Sequence, residues 1–291
     1  MRFTDALRLL LLAIIWGASF LLMRIAAPEF GPVPLILCRS LIAAICFAGV
    51  FRLAANRVML RKHLGDFFLL GIVNTALPFS LLAYSTLSLE AGFTSLLNAT
   101  TPMFAAIIGA AIYSTPLRKP QVLGLVIALA GVTVLSWDSL SFKPGGSGLA
   151  VISALIASAS YGVAVNFTKH RLADVPPQVV SAGALVMASA ILLIPGIWLW
   201  PETMPSAKAF NCTLLLGVVC TAVAYALFFR LLKHTGAMAA SSVTFLIPVF
   251  AILWGASVLG EKVDPQLLTG MIITLLGTAL TIGLIGRRKN A

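Results

Sequence analysis

Apolar runs of roughly 20 residues recur along the whole chain, separated by short stretches that hold almost all of the charge. A run of that length crosses about 30 Å of hydrocarbon as an α-helix, with every backbone polar group satisfied internally. The pattern predicts spans over Ala6 to Ile25, Pro34 to Leu53, Phe67 to Leu87, Ala91 to Tyr113 and Gln121 to Trp137. Five more follow, over Gly148 to Thr168, Val179 to Trp200, Cys212 to Leu232, Ala237 to Leu259 and Gln266 to Ile285. Ser139 to Gly146 is a Pro/Gly/Ser linker, which divides the chain into halves 1–140 and 141–291. The expected fold is therefore an all-α membrane protein of ten transmembrane helices.

The two halves repeat each other. A shift of 146 places Leu70-Gly71-Ile72-Val73-Asn74-Thr75 on Leu216-Gly217-Val218-Val219-Cys220-Thr221. It also places Pro102 on Pro248, Phe104 on Phe250, Gly124 on Gly270 and Gly131 on Gly277. At a shift of 145, Trp16-Gly17 meets Tyr161-Gly162 and Arg24 meets Lys169. The first run, flanked by Arg2, Arg8 and Ala26-Ala27, has the outline of a signal peptide. Its partner deep in the chain makes it a retained first helix instead.

Charge fixes the orientation. With the N-terminus cytoplasmic, fifteen of the 20 Lys and Arg residues fall inside and only Arg24, Lys143, Lys208 and Lys262 outside. Arg39 lies within the second span. Each half has an odd number of helices, so the second must be inverted. Accordingly Arg118-Lys119 lies inside while its counterpart, with Glu261 and Asp264, lies outside. Inverted repeats of this kind typify secondary transporters. Both termini are expected in the cytoplasm, with the bilayer as the chain's surroundings.

Composition narrows the chemistry. The chain is 60% hydrophobic and 10% charged, which leaves no room for a sizeable soluble domain. The net charge of +11 belongs to the orientation signal and lipid headgroups, so no nucleic-acid partner is expected. Cys38, Cys46, Cys212 and Cys220 lie in apolar runs and read as small buried hydrophobes. Asp5, Glu29, Asp66, Glu90, Asp138, Asp174, Glu202, Glu261 and Asp264 all fall at span ends or in loops. That pattern offers no intramembrane proton carrier. No metal cluster, P-loop or catalytic arrangement stands out, so the sequence predicts no enzyme, cofactor or metal site.

The candidate chemistry is in the spans. Arg39 reads as a snorkelling side chain near its helix end, or as an anchor for a substrate carboxylate. Trp16 and Tyr161 are symmetric aromatics well inside their spans, each followed by a glycine that permits close helix contact. Asn98 and Thr244 are symmetric hydrogen bonders; Asn74, Phe79, Asn166 and Tyr225 complete a candidate binding set. Ser95 and Ser241 read as interhelical packing residues. Pro102 and Pro248 are expected to kink the fourth and ninth helices alike, and Pro78, with Ala224 opposite it, only the third.

The duplicated five-helix units, Trp16-Gly17, Arg39, Pro102/Pro248 and the Gly260-Glu261 step resemble the EamA-type drug/metabolite transporter superfamily, over essentially the whole chain. Within it the chain looks closest to YddG-type amino-acid exporters. The resemblance implies a basket of ten helices around a central cavity and export of neutral, aromatic or large apolar amino acids by alternating access. The sequence departs from it where Thr115 stands opposite Glu261, and no acidic residue lies between Leu7 and Ile25. Both departures point to transport without proton coupling through a membrane carboxylate. Efflux of a nucleoside, sugar derivative or quaternary amine is the alternative cargo; a membrane scaffold or enzyme is the alternative class. A monomer in a bacterial-type inner membrane satisfies the pattern, although the sequence does not set the oligomeric state.

Overall fold

The computed structural model describes residues 3–137, 141–142 and 146–284, without the side chains of 237–239. Arg2, Asp138, Lys143, Arg287, Arg288, Lys289 and most of the Ser139–Gly146 linker thus lie outside the described residues.

The first half runs α1 (Phe3–Phe30), α2 (Pro32–Phe47), α3 (Ala54–Lys62), α4 (Leu64–Gly71), α5 (Leu77–Ser85), α6 (Ala91–Asn98), α7 (Thr101–Tyr113) and α8 (Lys119–Ser136). The second runs α9 (Gly148–Arg171), α10 (Pro177–Trp198), α11 (Ala207–Gly217), α12 (Ala224–Ser241), α13 (Val243–Leu259) and α14 (Pro265–Thr281). Among the described residues eight helical stretches are long and apolar enough to cross a membrane, and α13 and α14 are shorter apolar helices. The ten expected spans are all present. Helix α3 was not foreseen: its apolar Met59 and Leu60 pack inward while Arg57 and Arg61 face out.

Four spans are broken where the pattern predicts continuity. The third and eighth each swell into a π turn, at Ile72–Ala76 and Val218–Val223. These turns coincide under the shift of 146, so Pro78 is not their cause: Ala224 follows the second one equally well. Thr221 supports its own turn by donating its hydroxyl to the Leu216 carbonyl five residues back, at 2.8 Å. The fourth span is interrupted at Ala99 and Thr100, and the ninth at Ser242.

Here the two symmetric prolines part company. Pro102 lies in the first turn of α7, where its missing N–H removes no helical bond, so it starts a helix rather than kinking one. Pro248 is inside α13. The expectation of equal bends fails because the breaks fall at different distances from the two prolines.

Glycines set how the halves interlock. A Cβ at Gly17 would come within 2.7 Å of Phe250 Cβ, and one at Gly162 within 2.8 Å of the Ala105 backbone nitrogen. Each half's first helix therefore lies tight against the other half's fourth span. Helices α8 and α14 pack on each other through Gly124, Gly131, Gly270 and Gly277; a Cβ at Gly131 would be 2.5 Å from the Thr274 backbone nitrogen. These glycine contacts admit no side chain.

Candidate functional site

Between the halves lies a cavity of about 310 Å³. It is walled by pairs that the repeat relates: Trp16 with Tyr161, Phe79 with Tyr225, Leu82 with Phe228, Ser95 with Ser241, and Asn98 with Thr244. The aromatic contacts obey the same symmetry. Trp16 meets Tyr225 edge-on at 6.4 Å between centroids, and Tyr161 meets Phe79 at 6.2 Å. Such edge-to-face pairs hold ring faces at fixed positions and leave them available to a flat apolar ligand. Phe228 adds a third ring, 5.6 Å from Trp16.

Arg39 breaks the symmetry, since the corresponding contact position on α10 is Ala184. It does not snorkel. Its side chain is buried and lines the cavity, its Nε donating to Thr221 Oγ1 at 3.0 Å. Nη1 faces Met23 Sδ at 3.6 Å, and the guanidinium carbon stands 4.0 Å from the centre of the Phe79 ring. These neutral partners turn the side chain inward, away from the nearby helix end. No carboxylate lines the cavity among the described residues. Thr75, the counterpart of Thr221, is also buried, but its hydroxyl has no partner.

Of the expected binding residues, Trp16, Phe79, Asn98, Tyr161, Tyr225 and Thr244 line this cavity, as does Arg39. Asn74 and Asn166 do not. Asn74 stands on the π turn with its side chain only partly buried. Asn166 spends its amide on structure, donating to the carbonyls of Ala105 at 2.8 Å and Gly162 at 3.0 Å, which ties α9 to α7. Of the three kink prolines only Pro102 reaches the cavity wall. Ser95 was expected to pack; instead it lines the cavity with an unpaired hydroxyl, and the buried Asn98 Oδ1 beside it is also unpaired. Ser19, Cys220 and Thr221 are further wall residues missed in the sequence. The 146 shift pairs Phe79 with Tyr225 and offered a signal for that ring pair.

A second polar cluster closes one end of the bundle. Arg24 Nε lies 2.7 Å from Glu261 Oε1, and both Glu261 oxygens accept from the Ala91 N–H at 3.1 Å. Arg24 also donates to the carbonyls of Thr86 and Leu89. Neighbouring Glu90 has its carboxyl pushed above the usual range, chiefly by burial and then by the Glu261 charge. At the opposite end, Thr115 repeats the backbone geometry of Glu261 without its charge: their N–H groups donate to Gly109 and Gly255 respectively. Ser114 and Gly260 share the left-handed conformation just before them, at φ 51° and 67°.

The sequences of the two halves match the EamA-like transporter family, over residues 5–137 and 148–283. The chain belongs to that family. Relatives of this EamA-family transporter extend along nearly its full length. It is 22% identical to the "Uncharacterized transporter YoaV" of Bacillus subtilis, over 95% of this chain and 96% of that one. It is 25% identical to a "Probable amino-acid metabolite efflux pump" of Salmonella typhimurium, over 96% and 94%. The "Uncharacterized inner membrane transporter YedA" of Escherichia coli K12 is 24% identical over 91% and 87%. A solved crystal structure matches all of both chains with a TM-score of 0.67 and 18% identity, which shows the shared fold.

Proposed function

We propose that this membrane transporter exports neutral amino acids with aromatic or large apolar side chains by alternating access. One observation carries the reading: two symmetry-related ring pairs, Trp16 with Tyr225 and Tyr161 with Phe79, wall a cavity of about 310 Å³. Rings on both sides favour a flat or bulky apolar side chain, while Ser95, Asn98 and Thr244 supply a few uncharged hydrogen bonders. The description of the Salmonella relative as an amino-acid metabolite efflux pump supports the same cargo class.

In this reading the chain sits in a bacterial inner membrane with both termini cytoplasmic, so the Glu261 end faces outward. Cargo enters from the cytoplasmic end, and the two halves rock around the cavity to release it. The nine Asp and Glu residues are peripheral in the sequence, so transport runs down the cargo gradient rather than on a proton bound at the centre. Counterflow in proteoliposomes preloaded with single amino acids tests both statements. Exchange of phenylalanine, tryptophan or leucine, with little exchange of lysine or glutamate, is expected with or without a pH gradient. Absence of amino-acid exchange refutes the cargo, and strict dependence on the gradient refutes the uncoupled mechanism.

A further inference from the structure

From the charge of the cavity we infer a second substrate class: aromatic monocarboxylates, such as aryl-propionates or aryl 2-oxo acids. The inference rests on the transporter reading but extends the cargo beyond amino acids. Arg39 is 4% exposed and a guanidinium keeps its proton in proteins, so the cavity holds one fixed positive charge. Its partners are Thr221 Oγ1, Met23 Sδ and the Phe79 face, all uncharged. A buried charge without a counter-ion is costly, and an ionisable residue at membrane depth ordinarily has a partner. Among the described residues no such partner lines this cavity, so the missing negative charge fits the cargo. The guanidinium has donors to spare: Nη2 has no hydrogen bond among the described residues, and its planar fork suits a carboxylate.

A monoanion neutralises the site outright. A zwitterionic amino acid also brings an ammonium, and the cavity meets it only with neutral acceptors, Asn98 Oδ1 and the Ser95 hydroxyl, and with ring faces. The aryl acid therefore binds at least as well as the amino acid of the same side chain. An amine lacking the carboxylate faces Arg39 as a like charge and is excluded.

Three ligands with one ring separate the possibilities: L-phenylalanine, 3-phenylpropionate and phenethylamine. Each is tested on the purified full chain for thermal stabilisation and, in proteoliposomes, for competition in counterflow. The expected order is 3-phenylpropionate at or above phenylalanine, with phenethylamine weaker by roughly 10-fold or more, the scale of one charged hydrogen bond. In Arg39→Gln the advantage of the acid over the amine collapses, while Arg39→Lys keeps part of it. Phenethylamine binding as well as the acid in the wild type overturns the inference, whether or not Arg39→Gln folds. Phenylalanine binding with phenylpropionate more than 10-fold weaker also overturns it but leaves the amino-acid reading standing. Phenylpropionate binding without any amino acid does the reverse. Binding of none of the three overturns both.

Discussion

Replacing Glu261 with Gln removes one charge from the cluster that joins the end of α1, the turn at 86–91 and the step after α13. Glu261 is nearly buried, at 8% side-chain exposure, and Arg24 is 28% exposed, so screening weakens the pair only in part. A charge-assisted hydrogen bond contributes about 1.5–3 kcal/mol. Gln retains an acceptor for the Ala91 N–H, and Arg24 keeps the Thr86 and Leu89 carbonyls, so the net loss should be about 1–2 kcal/mol. Thr115 stands at the equivalent place at the other end, and no matching loss occurs there. If the cluster forms only while the Glu261 end is closed, the balance between closed and open moves by about 5–30-fold. Ser95 lies on the cavity wall one turn below Ala91 and is 1% exposed. With the four native cysteines replaced, Ser95→Cys should react with a membrane-impermeant thiol reagent added on the Glu261 side about 5–30 times faster when Glu261→Gln is present. Thr115→Ala should leave the rate unchanged. An unchanged rate in Glu261→Gln refutes the reasoning, as does lowered thermal stability with no gain in accessibility.

Three further outcomes follow from the same structure. Asn166→Ala should lower the melting temperature, by the loss of one hydrogen bond from α9 to α7 and one within α9 at about 1 kcal/mol each, with little change in cargo preference; Asn98→Ala should do the opposite, and equal effects on cargo in both would contradict the assignment. Gly131→Ala puts a methyl within 2.5 Å of the Thr274 backbone and should cost about 1–3 kcal/mol by thermal unfolding, whereas Gly65→Ala, with open space around it, should cost nothing. Glu90→Gln should raise the melting temperature near pH 7 but not below about pH 4.5. A carboxyl whose folded pKa is raised favours the fold while protonated and loses that contribution as pH climbs through the raised value, and Gln does not titrate. A melting-temperature difference that shrinks as pH rises would contradict it.

Spans, repeat and inversion were legible because hydrophobic length and loop charge are imposed by the bilayer itself. The cavity was legible only where symmetry helped. Trp16 with Tyr161 and Asn98 with Thr244 could be picked out because both copies carry the feature. Asn74 and Asn166 failed for a common reason: residue type says that a hydrogen bond is needed, not where the side chain points, and Asn166 satisfies its need on backbone carbonyls. The snorkelling reading of Arg39 rested on its distance to the helix end, and its burial removes that reading. What turns it inward is Thr221, distant in sequence, together with the ring of Phe79. The π turns leave no local signature at all, since one precedes a proline and the other an alanine.

The interlock at Gly17 and Gly162 means that neither half closes a cavity alone, because each lends its first helix to the other's fourth span. A five-helix unit encoded singly would have to meet a second copy of itself upside down, and every side chain at the junction would then come in twos. An arginine at position 39 would face its twin across the axis, two like charges in one dry space. Joining the copies in one gene lets them diverge, so one can carry Arg39 while the other carries Ala184. A lone charge at the centre is thus a property of two diverged copies that a symmetric pair of identical ones could not have.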